Sequence, residues 1–304
     1  MESESRRLVV VTPSYARDYE LCRDLNRSID TWMPGDVRHH IVVPRIDLPL
    51  FRTLAGNRTV IHDVGEFLPS AMLKVPKLNM WVNIRRPWPP IRGWITQQLV
   101  KLSAAAALDA DVVLLIDSDM VLVAPTELAS FQQDGNLAMY RKPEAVHDGL
   151  PRHRLWLQSA RNLLGLEPPE SGNLTDYICW PCVWDAKTVR SMLRRVEDVT
   201  GMAWQSAIAA QLHFSEMMLY GVYVDEVQGG PPAETPHMKS ISYSDETALS
   251  SAELGELLRA GSAGVLAVMI SAKADIPKDV RSNALDDFAK YLANSHTGLD
   301  GGAS

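Results

Sequence analysis

Short apolar runs separated by polar turns predict buried strands along the chain. The expected strands are 7–12, 39–44, 59–64, 112–116 and 265–270. Between the first two, Leu21, Leu25 and Ile29 recur at a spacing of four, which is typical of an amphipathic helix. Strands that alternate with helices favour an α/β domain with a mostly parallel central sheet flanked by helices.

Further helices are expected where apolar residues keep the helical spacing. Ile95, Leu99, Leu102 and Ala106 form one face of a helix that begins at about Trp94. The other expected helices lie at about 186–196, from Ser251 onwards, and at about 280–292.

Three stretches show clearly neither the spacing of an amphipathic helix nor the alternation of a half-buried strand. Residues 74–93 are dense in Pro, Arg and Trp and predict a long functional loop, of which the part around residues 85–93 is expected to become ordered over a ligand. Residues 125–173 form a polar stretch with spaced prolines. Residues 213–227 predict a short helix packed together with a strand.

Two carboxylates stand where the apolar run 112–116 ends. Asp117 and Asp119 are two positions apart, so in an extended segment both point to the same side. Anions held this close repel each other unless a cation lies between them. In an open parallel sheet, ligands bind outside the carboxyl ends of the strands. We therefore expect one crevice to contain this pair and the turn that follows the first strand, residues 12–15.

The segment PIRGWITQQLVKLSAAAALDADVVLLIDSDMVLV, residues 90–123, resembles the nucleotide-sugar half of a glycosyltransferase with the GT-A fold. Asp117-Ser118-Asp119 matches the DxD motif of that fold. The segment is similar in particular to a group of bacterial glycosyltransferase-like proteins that share a GWxxQQxxKL helix before the DxD. The resemblance implies a GT-A-like, Rossmann-type single domain. Its nucleotide-sugar-binding half would be residues 1–124, and its acceptor-binding half residues 125–304.

The resemblance also implies a cofactor and partners. The DxD would bind Mn²⁺ or Mg²⁺, with Asp119 as a direct ligand and Asp117 reaching the metal or the ribose. The donor would be a nucleotide-diphosphate sugar, with UDP as the expected nucleotide. The acceptor would carry a hydroxyl group, as a saccharide or a natural product does. Inversion at the anomeric carbon is the expected outcome.

Several further residues are candidates for donor binding. Arg92 and Lys101 flank the expected crevice and are candidates for contact with the phosphates. Ser14 or Asp18 would serve equally well as a cap of the helix that follows. The full set of donor-binding candidates is Thr12, Pro13, Ser14, Tyr15, Asp18, Arg92, Lys101, Asp117 and Ser118.

Glu216 is the candidate catalytic residue. The segment FSEMMLYG is similar to the acidic motif at the start of an acceptor-side helix in many inverting glycosyltransferases. That similarity implies a general base, which would take the proton of the acceptor hydroxyl. The alternative is a glutamate that stabilises the first turn of a helix, with Ser215 as its cap. Met217 stands where the family pattern often has a second acidic residue.

Aromatic and histidine residues supply weaker candidates. Trp180 and Trp184 are candidates for stacking on a sugar, since a flat apolar ring matches the C–H face of a pyranose. His213, His237 and Lys273 are candidates for a third metal ligand or a phosphate contact.

Composition narrows the class of protein. Of 304 residues, 46% are hydrophobic, which suffices for a substantial core. The net charge of -7 argues against a general nucleic-acid-binding protein. No apolar run has the length of a transmembrane helix or a signal peptide, and three cysteines fit a reducing compartment, so a cytoplasmic location is expected.

Two other functions fit parts of the pattern. A non-catalytic sugar-nucleotide-binding protein would need the same donor-binding residues. Phosphatases of the haloacid dehalogenase type also use a DxD after a strand. In those enzymes the motif closes the first strand, whereas here it begins at Asp117 and is followed by Met120. The Cys-x-Pro-Cys sequence at 179–182 resembles a redox motif, but no small redox domain surrounds it.

Overall fold

The computed structural model of the chain describes residues 6–297, apart from residues 76, 77, 79, 170 and 246. The strands are β1 (Leu8–Pro13), β2 (Arg38–Val43), β3 (Thr59–Asp63), β4 (Met72–Lys74), β5 (Met80–Asn83), β6 (Arg86–Arg92), β7 (Val112–Leu115), β8 (Met120–Leu122), β9 (Gln132–Gln133), β10 (Asn136–Tyr140), β11 (Lys142–Val146), β12 (Leu174–Asp176), β13 (Cys182–Asp185), β14 (Ala233–Thr235), β15 (Ser240–Tyr243) and β16 (Ala267–Ile270). The α-helices are α1 (Tyr19–Trp32), α2 (Leu48–Phe51), α3 (Gly93–Ala107), α4 (Pro151–Leu164), α5 (Ala186–Thr200), α6 (Trp204–Ala209), α7 (Glu216–Val222), α8 (Ser251–Ala260) and α9 (Lys278–Thr297).

The central sheet has the strand order β13-β7-β1-β2-β3. Strands β7, β1, β2 and β3 run parallel, and β13 joins the edge of β7 antiparallel. The prediction of an α/β fold with a mostly parallel central sheet is therefore confirmed. The carboxyl ends of the four parallel strands lie at one edge of this sheet, which is where the aspartate motif follows β7.

Side chains of the central strands alternate between two apolar layers, because successive residues of a strand point to opposite faces. Val113 and Leu115 of β7 pack in the layer that contains α3, α5 and α7. Leu114 packs on the other face with Leu25 and Ile29 of α1. Both faces of the sheet are therefore covered by helices, as is usual for parallel strands.

A small second sheet connects the two predicted halves of the chain. It has the order β15-β16-β8, in which β8 follows the aspartate motif directly and pairs antiparallel with β16. In the central sheet, β13 contributes an edge strand from beyond residue 124. Each sheet thus contains strands from both sides of the predicted boundary.

Residues 74–93 are a correction to the sequence prediction. Residues 76, 77 and 79 of the predicted loop lie outside the described residues. For the rest the prediction is wrong, because β4, β5 and β6 form an antiparallel sheet that leads directly into α3. The prolines of β6 argued against a strand in the sequence, since a proline has no N–H to donate within a sheet. β6 lies at the edge of its sheet, where proline is tolerated.

Residues 213–227 are a second correction. The structure contains α7 and then one π-helical turn, Tyr223–Val227, in place of the expected strand. Every residue of α7 is buried, including Glu216, so the helix has no solvent-exposed polar face and its sequence lacks the helical period. An apolar run of this kind does not distinguish a buried helix from a strand.

The stretch 125–173, to which no elements were assigned, contains strands β9 to β11 and the helix α4. α4 begins at Pro151 and ends at Leu164, and the next residue, Gly165, adopts the left-handed conformation common after a helix. Within the described residues, none of the helices combines the length and hydrophobicity that a membrane span requires.

Candidate functional site

The aspartate motif forms a tight turn between β7 and β8. The amide N–H of Met120 donates to the carbonyl of Asp117 at 3.1 Å, which closes the turn. Several contacts from the last part of the chain hold Asp119, and two of them involve a side chain. The N–H of Ala272 donates to its Oδ2 at 3.3 Å, and Nη2 of the buried Arg281 donates to its carbonyl at 2.9 Å.

Negative charge is concentrated at this turn. Burial, together with the charges of Asp117 and Asp18, raises the pKa of Asp119 to about 6. Burial also raises the pKa of Asp18, although Ser118 Oγ donates a hydrogen bond to Asp18 Oδ2 at 3.3 Å. Three carboxylates therefore lie near one another at the carboxyl edge of the sheet, and a cation would relieve their repulsion.

Lys101 lies between two carboxylates. Its Nζ is 2.9 Å from Asp117 Oδ1 and 3.1 Å from Glu216 Oε1. The same ammonium lies 4.5 Å from the centre of the Trp180 ring, a cation–π distance. Burial alone would lower the pKa of Lys101, but the two carboxylates raise it above its ordinary value, so the side chain stays charged. The structure thus gives Lys101 two carboxylate partners, whereas the sequence predicted phosphate.

Gln98 belongs to the same arrangement, and sequence reasoning missed it. Its Oε1 accepts a hydrogen bond of 2.9 Å from the backbone N–H of Glu216. Gln98 and Lys101 are three residues apart on α3, so both reach the start of α7 from one helix face. This contact gives a physical reason for the Gln and Lys spacing of the GWxxQQxxKL helix.

Glu216 begins α7 and is buried, with a side chain only 5% exposed. Ser215 caps the helix, because its Oγ accepts from the N–H of Met218 at 3.4 Å. The sequence offered a structural alternative for Glu216, namely a glutamate in the first turn of a helix with Ser215 as its cap. The structure contains both of these features. The contact with Lys101 adds a link to the aspartate motif that neither alternative anticipated.

An open cleft of about 300 Å³ lies beside the motif. It is lined by the turn after β1, including Pro13, Ser14, Tyr15 and Asp18, and by the first turns of α3. The ring of Tyr15 is exposed at its wall. Four of the predicted donor-binding residues are therefore brought together, and the hydrogen bond from Ser118 to Asp18 links the cleft to the motif.

Thr12 has a different environment. Its side chain is fully buried, and its Oγ1 lies 2.9 Å from Nε2 of His39. His39 Nδ1 in turn lies 2.8 Å from Oδ1 of Asn26, which accepts a hydrogen bond from Thr59. This polar network sits beneath the cleft, so the Thr12 hydroxyl supports the site from within the core.

The remaining candidates lie in different places. Arg92 is exposed at the junction of β6 and α3, next to Gly93 and Trp94, which line the cleft. Trp180 is half-buried beside Lys101. Trp184 is only 1% exposed and stacks on the buried Tyr220, so the expectation that its ring stacks on a sugar is wrong.

The other predicted metal or phosphate contacts are dispersed. His213 and His237 are exposed, and His237 lines a cavity formed partly by β10 and α7. Lys273 follows Ala272, the residue whose N–H contacts Asp119. Cys179 and Cys182 are buried free thiols. The hydrogen bond between them and their burial raise the pKa of Cys182, which disfavours a reactive thiolate.

The donor set determines which metal would fit. Across the described ranges, no three His, Cys, Asp or Glu side chains converge into a self-contained metal site. Asp117 and Asp119 offer two carboxylates. Mg²⁺ is usually held by one or two carboxylates together with phosphate oxygens and water, whereas structural zinc sites use nitrogen and sulfur ligands. The chemistry of this pair therefore fits Mg²⁺ or Mn²⁺ with a phosphate-bearing ligand.

Comparison with known proteins adds a family and a distant structural similarity. No curated protein matches the sequence. The structure aligns with an active-site mutant of the glycosyltransferase LgtC at 12% identity, over 94% of this chain and 95% of the other, with a TM-score of 0.44. Residues 8–248 match the model of a family of unknown function. The match covers more than half of the sequence, and the chain belongs to this family, DUF6492.

Proposed function

We propose that this protein is a metal-dependent glycosyltransferase that moves a sugar from a nucleotide-diphosphate sugar to a hydroxyl acceptor. One observation carries the proposal. Asp117 and Asp119 follow a parallel strand at the carboxyl edge of the central sheet, next to an open cleft lined by the turn after β1. This is the position at which α/β sheets bind nucleotides.

Asp119 would hold the metal ion, with Asp117 as the second carboxylate. A bound Mg²⁺ or Mn²⁺ would stabilise the negative charge that develops on the departing diphosphate. Tyr15 and Asp18 would contact the nucleoside, for which UDP is the expected carrier. Arg92 would approach the phosphates from the entrance of the cleft.

Glu216 is the proposed general base for the acceptor hydroxyl, with inversion as the expected outcome. Its carboxylate and that of Asp117 share Lys101, which supports a role next to the metal site. Trp180, on the other side of Lys101, would provide an apolar face for a saccharide or natural-product acceptor.

A second candidate function is a sugar-nucleotide-binding protein without turnover. The burial of Glu216 favours it, because a general base must reach the proton that it accepts. The haloacid dehalogenase alternative has less support, since the motif here follows the seventh strand of the chain.

A ligand panel tests the proposal. Thermal unfolding would be measured with UDP-, GDP-, TDP- and CDP-sugars, each with and without Mn²⁺. We expect one nucleotide class to raise the melting temperature only when the metal is present. Release of the nucleoside diphosphate over time then separates an enzyme from a binding protein. The absence of a metal-dependent shift with every donor would contradict the proposal.

A further inference from the structure

The sheet formed by β4, β5 and β6 exposes large apolar side chains. Trp88 of β6 is 79% exposed, Ile84 in the turn before it is 61% exposed, and Leu73 of β4 is 53% exposed. Single exposed apolar residues are common on protein surfaces, but three large ones on one small sheet point to an interaction surface.

The base of this sheet is fixed to the body of the protein. Met72 and Ile91 are buried in the main core, and Nδ2 of Asn83 lies 3.4 Å from Oγ of Ser206 in α6. The exposed side chains therefore project from an anchored support, and their exposure does not result from a poorly packed element.

The charge of this segment is opposite to that of the whole chain. Between residues 72 and 94 the sequence contains five basic residues and no Asp or Glu, whereas the chain has a net charge of -7. The basic residues are Lys74, Lys77, Arg85, Arg86 and Arg92. A basic and apolar surface on an acidic protein is complementary to a partner that is anionic and has an apolar interior.

The edge of the sheet limits the kind of partner. β6 is an edge strand, and Pro87, Pro89 and Pro90 have no N–H groups with which to pair another strand. A protein partner that adds a strand to this edge is therefore disfavoured.

We propose that the β4–β6 sheet docks on the surface of a lipid bilayer that contains anionic lipids. Trp88 and Ile84 would enter the boundary between headgroups and acyl chains, where tryptophan is favoured. Arg85 and Arg86 would contact the lipid phosphates, as clustered basic residues do at anionic membranes.

Docking in this way has a consequence for the cleft. Lys74, Trp81, Gly93 and Trp94 line the cleft beside the aspartate motif, and all four belong to this sheet or to the start of α3. The cleft would then open close to the bilayer. The docking itself does not depend on the proposed function, because it concerns a surface outside the aspartate motif.

Vesicle co-sedimentation of the full chain tests the proposal. The vesicles would consist of phosphatidylcholine alone or of phosphatidylcholine mixed with phosphatidylglycerol. We expect binding to the anionic vesicles only, and weaker binding as salt is added. Arg85→Gln with Arg86→Gln should weaken binding by about 25-fold, since each basic residue contributes a factor of about five. Trp88→Ser should weaken it by about tenfold.

Matched variants separate this surface from the general properties of the chain. Arg194→Gln with Arg259→Gln removes the same charge from exposed positions elsewhere, and Met238→Ser removes an apolar side chain outside the sheet. Both controls should bind vesicles like the parent. Circular dichroism would establish that each variant is folded. If the parent does not bind anionic vesicles, the proposal is overturned, and a protein becomes the alternative partner of this surface. The proposal is also overturned if the variants of the β4–β6 sheet bind anionic vesicles as well as the control variants do.

Discussion

Lys101 and Glu216 join α3 to α7 across 115 positions of the sequence, with Nζ 3.1 Å from Oε1. Both side chains are buried, and the same ammonium contacts Asp117 at 2.9 Å. The aspartate motif and the candidate base are therefore parts of one electrostatic unit. Because both carboxylates contact this lysine, a change in either one will alter the electrostatic environment of the other.

The first prediction concerns the stability that Lys101 provides. Lys101→Met keeps the length and the apolar stem of the side chain but leaves a buried carboxylate without its cation. We expect the free energy of unfolding to fall by about 3 kcal/mol, measured by urea denaturation. Lys187→Met, at an exposed position in α5, is the matched control and should change stability little.

A double variant tests the cause of that loss. Lys101→Met combined with Glu216→Gln should be less destabilised than the sum of the two single changes, because the unpaired buried charge has been removed. Additive effects would mean that packing of the lysine stem, and not the ion pair, is what matters.

The second prediction concerns the metal. Asp119→Asn removes one negative charge at constant size. At a donor concentration of about 100 times the dissociation constant, the parent should gain about 2.7 kcal/mol of stability from donor and Mn²⁺ together. The variant should gain none, as measured by thermal shift and calorimetry. Asp36→Asn, in an exposed turn, is the control. A variant that keeps the parent's affinity and metal requirement would show that Asp119 is not the ligand.

The third prediction concerns the candidate base. If Glu216 removes the acceptor proton, Glu216→Gln should lower the transfer rate by on the order of 10² to 10⁴ while donor affinity changes little. The loss of a helix-terminal charge alone would cost only about 0.3 to 1 kcal/mol of stability. Transfer and donor affinity would be measured on one preparation, with Glu256→Gln in α8 as the control. Near-parental transfer would leave Glu216 as a structural residue.

The fourth prediction concerns pH and the network beneath the cleft. Burial, together with the nearby His40 and Arg58, lowers the pKa of His39 to about 3. The folded state therefore keeps this histidine neutral, whereas the unfolded state binds a proton below about pH 6.5. Stability is retained above that pH and is lost as the pH falls towards 3. At pH 5 the loss from His39 should be about 2 kcal/mol.

His39→Gln provides the comparison for this pH dependence. The variant should lose stability less steeply than the parent between pH 7 and pH 5, whatever its stability at pH 7. Denaturant unfolding at several pH values measures the slope. His213→Gln, at an exposed position, should keep the parent's slope. Equal slopes for the parent and His39→Gln would mean that other groups cause the acid sensitivity.

The sequence contained enough information to predict the central sheet and the position of the aspartate pair. The strand β7 is buried and short, and its apolar run ends at Asp117, so the pattern is unambiguous. Prediction was wrong where local rules conflict with tertiary position. The prolines of β6 argued against a strand, although proline is tolerated at the edge of a sheet. The complete burial of α7 left its sequence without the helical spacing of apolar residues.

The partners of the site residues depend on folding in three dimensions. The spacing of Gln98 and Lys101 could have shown that they share a helix face, but not that Glu216 lies opposite them. No pattern in the sequence pointed to Arg281, since its contact with Asp119 forms only when α9 packs against the motif. Trp184 could not be distinguished from Trp180, because the two tryptophans belong to one short segment of the sequence but have different environments in space.

The contacts of Ala272 and Arg281 with Asp119 come from beyond residue 248, where the match to the family ends. A substitution in this C-terminal part would alter the surroundings of Asp119 while the DxD itself stayed the same. Burial lowers the pKa of Arg281, and its guanidinium still holds the backbone of the motif in place. Substitutions in α9 could therefore alter the affinity of the proposed ion site while Asp117 and Asp119 stay unchanged.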